Sequence, residues 1–197
     1  QTSNQEKQNL SLINNTKEEW SPIEKSFCLN INEYNEERTQ WIFKRNFLQE
    51  LVIQTSYKCN LFCTHCYNDK HHNEYELDFE NIKNIIDQAE KLGVMMVGIT
   101  GGECTLHKDF IKICQYIRSK HLALNFLTNG IRLYDDEKLF NEVVALYPRE
   151  IKISVYSMNP EIHDAMTGVK GSWKKTIEVI KKLREHDIAV TLNHLRV

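Results

Sequence analysis

The sequence has no excess of basic charge: 25 Lys and Arg stand against 27 Asp and Glu, for a formal net charge of −2. That gives no cationic footprint for nucleic acid or an anionic lipid surface. No apolar run approaches the roughly 18 to 20 residues of a membrane span. The opening stretch, QTSNQEKQNL, lacks the apolar core of a secretory signal. The chain starts with Gln, and its end, IAVTLNHLRV, reads as a strand with no turn after it, so an excerpt of a longer protein is expected. One further shortage stands out in CNLFCTHCY, from Cys59 to Tyr67. Four thiolates would close a tetrahedral zinc or iron–sulfur site, and here there are three.

The 197 residues are 41% hydrophobic and 26% charged, ordinary for a soluble protein with a sizeable core. Six cysteines, Cys28, Cys59, Cys63, Cys66, Cys104 and Cys114, would suggest disulfides in a small secreted chain. In a chain of this size without an export signal, reduced thiols and a cytoplasmic location are expected.

Residues 1–45 differ from the rest: the first twenty are rich in Asn, Gln, Glu and Lys and hold too few apolar residues to fold alone, and the remainder shows no sustained period. They read as a linker with short apolar patches around Phe27 and Trp41, or as a remnant adjoining a peptide-recognition element. Residues 46–197 form the folded core. LVIQTS (51–56), VMMVGIT (94–100), LALNFLT (122–128), IKISVYS (151–157) and IAVTLNHL (188–195) are short, nearly continuous apolar runs, the mark of strands covered on both faces. Between them apolar residues recur at helical spacing: Phe79, Ile82, Ile85, Ile86 and Ala89; Phe110, Ile113, Cys114 and Ile117; Leu139, Val143 and Leu146; Trp173, Ile177, Ile180 and Leu183. Gly93 suits a helix C-terminus and Ser172 an N-cap.

This β-α alternation demands a parallel sheet, either an open doubly wound one or a partial barrel. Both place ligands at the C-terminal ends of the strands. Polar clusters follow the strands there: the cysteine triplet after the first, Gly101-Gly102-Glu103 after the second, Thr128-Asn129-Gly130 after the third, and Ser154, Ser157 and His163-Asp164 at the fourth.

Cys59, Cys63 and Cys66, at spacings of four and three, can wrap one face of a cubane and leave one iron without a protein ligand. Zinc competes if His65 or His71 supplies a fourth donor, and a set of incidental buried cysteines is the bland alternative. The two glycines allow a close backbone approach, and a carboxylate beside them suits an ammonium group. Alone, Gly-Gly-Glu is also a common turn.

Together, CxxxCxxC after the first strand, GGE after the second and TNG after the third resemble the radical S-adenosylmethionine (SAM) enzymes, over about residues 50–197. The resemblance implies an α/β fold, a partial (βα)6 TIM-like barrel of which this chain carries four βα units plus a fifth strand. It implies a 4Fe-4S cluster held by Cys59, Cys63 and Cys66, with the amino and carboxylate groups of SAM on the fourth iron. By the same likeness His65 neighbours the adenine, Gly101, Gly102 and Glu103 contact the methionine amino group, and Asn129 and Ser154 help bind SAM. Thr167 stands where many relatives carry an arginine for the SAM carboxylate, and Cys104 where many carry proline. A fifth-strand contact is assigned to Asn193.

The implied reaction is reductive cleavage of SAM to a 5′-deoxyadenosyl radical, which takes a hydrogen atom from a substrate; an electron donor such as flavodoxin or ferredoxin is then a partner. CNLFCTHCYND, TGGECTLH and HDAMTGVKGSW look most like the branch with a C-terminal SPASM domain, whose members modify peptides or protein side chains and often hold auxiliary iron–sulfur clusters. A radical SAM enzyme of small-molecule cofactor or haem biosynthesis, and a non-enzymatic zinc or iron–sulfur module, are the rivals. His71-His72 read as a solvated loop or a substrate or metal contact, His107 as the entry to the second helix, and Cys114 as core.

Overall fold

A computed structural model describes Gln40, Lys44 and residues 48–68 and 75–194. The expectations for residues 1–45, including Phe27, Cys28 and Trp41, and for His71-His72 lie outside the described residues, Gln40 and Lys44 apart. The chain divides into two units, and the sheet and its helices belong to the second, Gln49–Val197.

Five strands form one sheet: β1 (Glu50–Gln54), β2 (Met96–Thr100), β3 (Ala123–Thr128), β4 (Glu150–Ser154) and β5 (Val190–Asn193). Every neighbouring pair is parallel and the order is β1-β2-β3-β4-β5. Strict succession matters. Right-handed crossovers between successive neighbours put every connecting helix on the same face, the barrel-type winding; a doubly wound sheet must reverse its order. Among the described residues β1 and β5 are the two edges, so the sheet is an open part of a barrel.

The helices are α1 (Phe79–Lys91), α2 (Phe110–Ser119), α3 (Ile131–Asp135), α4 (Glu137–Leu146), α5 (Pro160–Thr167) and α6 (Ser172–Glu185), with a 3-10 turn at Cys104–Leu106. The side chain of Asp78 caps α1, and Gly93, at φ 83°, turns the chain after it. α2 buries the expected stripe Phe110, Ile113, Cys114 and Ile117, and Phe110 stands edge-on to Phe126 of β3 with ring centroids 5.3 Å apart. The core joins these helices to Val97, Ile99, Leu124, Ile151 and Ile153 of the strands.

Ser172, expected as an N-cap, is the first residue of α6, with Gly171 at the N-cap. Two further expectations shift. Residues 160–167, outside the helical stripes read from the sequence, form α5, because Pro160 occupies its first turn and Asn159 accepts the N–H groups of Glu161 and Ile162. On α6 the buried stripe is Ser172, Thr176, Val179 and Leu183, and of the expected set only Leu183 is fully buried. The helix is rotated so that the Thr176 hydroxyl donates to the Asn129 carbonyl at 2.9 Å.

Candidate functional site

The cysteines lie in the excursion between β1 and α1, and its stems pair with each other. Ser56 bridges Glu76 in antiparallel sense, and the Leu77 N–H donates to the Thr55 carbonyl at 2.9 Å. Its far side is fastened to the end of α5: the Phe62 N–H donates to the Thr167 carbonyl at 2.8 Å and the Thr64 N–H to the Met166 carbonyl at 3.0 Å. A helix leaves its last carbonyls without intrahelical partners, and here the cysteine loop supplies them. Gly168, at φ 69°, permits this contact, since a Cβ there would stand 2.8 Å from the Phe62 carbonyl oxygen. Inside the loop the Leu61 N–H donates to Cys59 Sγ at 3.4 Å. Burial pushes the Cys59 thiol up to about 11 and raises that of Cys63. Metal-free, both therefore hold their protons at neutral pH, and a metal taken up here would have to displace them.

The loop after β2 runs directly beneath this excursion. The Gly102 N–H donates to the Ser56 carbonyl at 2.8 Å and the Glu103 N–H to the Lys58 carbonyl at 2.7 Å. A Cβ on Gly102 would lie 2.4 Å from the Lys58 carbonyl oxygen, and one on Gly101 2.9 Å from that of Ser56. Both glycines are thus demanded by the approach of two backbone segments. Glu103 is 1% exposed, and its carboxylate accepts from Thr105, Thr128 and Asn129. Cys104 is fully buried; its thiol donates to the Leu127 carbonyl at 3.1 Å and burial raises it far above the ordinary thiol range.

One cavity of about 410 Å³ gathers the rim. Its wall includes Cys59, Cys63, Cys66 and His65 from the excursion, Gly101 and Gly102 from the loop after β2, and Thr128 and Asn129 from the end of β3. Ser154 of β4 and Asn193 of β5 complete it. Of the expected site residues, only Glu103 lies behind the wall. His65 Nδ1 is buried without a hydrogen-bond partner, and its ring stands edge-on to Tyr156 at 4.3 Å.

Tyr156, His194 and Asn60 are not among the residues expected from motifs, yet they shape this site. Burial pushes the Tyr156 phenol up to about 12, and its ring stacks on His163 with centroids 5.7 Å apart. The Tyr156 N–H donates to His163 Nδ1 at 3.3 Å. Burial lowers His163 below the usual imidazole range. His194 lines the cavity and donates through Nδ1 to the Val155 carbonyl at 3.0 Å. The Asn60 side chain accepts from Asn129 Nδ2 at 2.7 Å. Alternation along a strand places residues 154 and 156 on one face, the one sequence signal that points to Tyr156; Asn60 and His194 carry none.

Thr167 faces away from any ligand. It is fully buried, its hydroxyl 2.7 Å from that of Ser172. Ser157, beside Ser154 in sequence, accepts the Asn159 N–H at 3.0 Å and belongs to the start of α5. His107 ties the turn after β2 to the chain before α1: its Nε2 donates to the Leu77 carbonyl at 2.8 Å while Nδ1 accepts the Asp109 N–H.

The donor set fits a cluster better than a single ion. Three cysteine thiols share one cavity wall, and the thiolates of a cubane ligate separate irons. The cavity falls in the range of about 300–1,000 Å³ typical of small-molecule sites. The unpaired His65 nitrogen on its wall leaves one hydrogen-bonding position open to a ligand.

Fold and site together define an α/β protein of barrel-type winding with a thiol-lined ligand cavity at the C-terminal rim of its sheet. The chain belongs to the radical SAM superfamily, whose family pattern matches residues 53–195. Members of that superfamily bind a 4Fe-4S cluster and SAM. The chain is 32% identical over 134 residues to the mycofactocin maturase MftC of Mycolicibacterium smegmatis, a match that covers 68% of this chain and 33% of MftC. It is 35% identical over 142 residues to the antilisterial bacteriocin subtilosin biosynthesis protein AlbA of Bacillus subtilis, covering 71% of this chain and 31% of AlbA. It therefore spans about a third of the length of these relatives. Streptococcus suis SuiB bound to its precursor peptide SuiA has the same fold, with a TM-score of 0.64 at 20% identity over 84% of this chain and 38% of SuiB.

Proposed function

We propose that this chain is the SAM-cleaving core of a radical SAM enzyme that modifies a peptide or protein side chain. The observation that carries it is the convergence of Cys59, Cys63 and Cys66 with Gly101, Gly102, Asn129 and Ser154 on one cavity wall. When bound, the cluster and SAM together supply a carbon-centred oxidant able to remove a hydrogen atom from an unactivated C–H bond.

The chain's own residues hold and enclose that chemistry. Cys59, Cys63 and Cys66 are the cluster ligands, and the Leu61 N–H aimed at Cys59 Sγ withdraws charge from that sulfur. Asn129 and Ser154 offer polar contacts to the SAM methionine end, the glycine turn closes the wall beside them, and the free His65 nitrogen offers one to the adenine end. Tyr156 and Leu127 cover the cavity side and exclude water. An external one-electron donor of the flavodoxin or ferredoxin kind, and a peptide substrate like the precursor peptide bound to SuiB, complete the reading. Among the described residues no helix is long and apolar enough to cross a membrane. A reducing cytoplasm, where the three thiols stay free to take up iron, is the location this reading assigns.

The test is anaerobic reconstitution with iron and sulfide. A brown protein that releases 5′-deoxyadenosine from SAM on reduction, and loses both properties in Cys63→Ala, supports the proposal. A colourless zinc protein that leaves SAM intact sinks it. Turnover of a small metabolite, with no modification of a precursor peptide encoded beside the gene, would overturn the peptide assignment alone.

A further inference from the structure

We infer that Glu103 is a positioning residue: its carboxylate braces the loop after β2 against the loop after β3 and, through Asn129, steadies the cysteine loop, in place of gripping the ammonium group of a ligand. This inference rests on the reading of the cavity as a SAM site and assigns one of its residues a different task.

Three observations carry it. Glu103 lies behind the cavity wall at 1% exposure, while Gly101 and Gly102 form the wall itself. Its Oε1 accepts from the Thr105 N–H at 3.1 Å, the Thr105 hydroxyl at 2.6 Å and the Thr128 hydroxyl at 2.7 Å, and its Oε2 from the Asn129 N–H at 2.7 Å. A carboxylate has about four lone-pair directions; three neutral donors crowd Oε1 and one holds Oε2, on a side chain that the cavity wall covers. Finally, the braced residue reaches the cluster loop: Asn129 Nδ2 donates to Asn60 Oδ1 at 2.7 Å, and Asn60 directly follows Cys59.

A direct ligand and a brace differ in what they recognise. A carboxylate that pairs with the ammonium contributes only when the ammonium is there. A brace that shapes the cavity contributes to every ligand that fills it. The probes are SAM and an S-adenosyl analogue lacking the α-amino group, titrated calorimetrically into the reconstituted chain. In Glu103→Gln an NH2 replaces one oxygen, and in either orientation it faces a backbone N–H, of Thr105 or of Asn129, that it cannot accept. The expected result is a loss of roughly tenfold in affinity, the same for both ligands to within about twofold. A loss for SAM that exceeds the loss for the analogue by more than this overturns the inference.

If Glu103→Gln does not fold, Thr105→Val decides, since it keeps the carboxylate charge, lies outside the cavity wall and removes one hydroxyl donor. It should weaken both ligands alike, and unchanged affinity for both overturns the brace. A wild-type chain that takes up neither cluster nor SAM overturns the reading of the site, and this inference with it. A wild-type chain that binds both, with Glu103→Gln selective against the ammonium, overturns the inference alone.

Discussion

At the scale of single residues, the two glycines before Glu103 show how a cofactor motif can be set by backbone crowding. Gly102→Ala would put a Cβ 2.4 Å from one carbonyl oxygen and 2.5 Å from another. Neither belongs to a side chain that can swing away, so the cysteine loop must lift. A destabilisation of about 1–3 kcal/mol is expected, with iron per chain falling on reconstitution. Gly171→Ala is the contrast. At φ 84° with nothing within 4 Å, it should show only the backbone cost of about 1–2 kcal/mol in urea unfolding and leave iron content unchanged.

The buried thiols set a pH dependence at the same scale. The Cys59 thiol ordinarily titrates near 9.0 and in the fold is pushed up to about 11. Between these values the folded, metal-free chain holds more protons than the unfolded one, so its stability falls as pH rises through that window. Iron binding releases those protons and therefore strengthens with rising pH. Denaturation midpoints of the metal-free chain and iron affinity should thus move in opposite directions as pH is raised above about 9.

At the scale of elements, the α5–α6 corner holds the cysteine loop without lining the cavity. Desolvation raises the Asp164 carboxyl, but the N–H groups of Trp173 and Gly171 and the Ser172 hydroxyl outweigh it, and the group sits below the usual carboxylate range. Its two oxygens accept the Trp173 N–H and the Ser172 hydroxyl, each at 2.9 Å, and the Gly171 N–H. Asp164→Ala removes a helix cap and should cost about 1 kcal/mol. Because α5 presents the Met166 and Thr167 carbonyls to Thr64 and Phe62, the same variant should lose iron faster to a chelator. The carboxylate's contribution is present above a pH of about 4 and disappears as pH falls below it; thermal melts of Asp164→Ala and wild type should converge there.

At the scale of the whole molecule, the core does not need the cofactor. Val97, Ile99, Leu124, Ile151 and Ile153 are buried against α1, α2, α4 and α6, with no thiol of the triplet among them. The metal-free chain is therefore expected to unfold cooperatively with an unchanged far-ultraviolet spectrum, unlike a zinc finger. Loading should slow hydrogen exchange most across residues 57–68 and least in β2 and β3.

Much of this was legible before any coordinates. The triplet spacing, the β-α alternation and the polar residue after each strand are covalent or short-range facts; they put the polar clusters on one rim and carry the family resemblance from which the cofactor chemistry follows. Period alone could not fix the strand order, because singly and doubly wound sheets bury the same apolar runs; pairing between strands decided it. Nor could it show where Glu103 points, since its partner Asn129 lies 26 residues on and the Asn129 contact to Asn60 spans 69. A carboxylate beside two glycines reads in sequence as a hand held out to a ligand. In the fold, burial in a polar pocket gives it nearer donors, the N–H and hydroxyl of Thr105, the hydroxyl of Thr128 and the N–H of Asn129. The sequence alone therefore determined that this chain binds an iron–sulfur cluster in the radical SAM manner as a matter of family. The tertiary structure decided which of the motif's residues line the cavity and which hold the lining in place, because that depends on contacts between segments far apart along the chain.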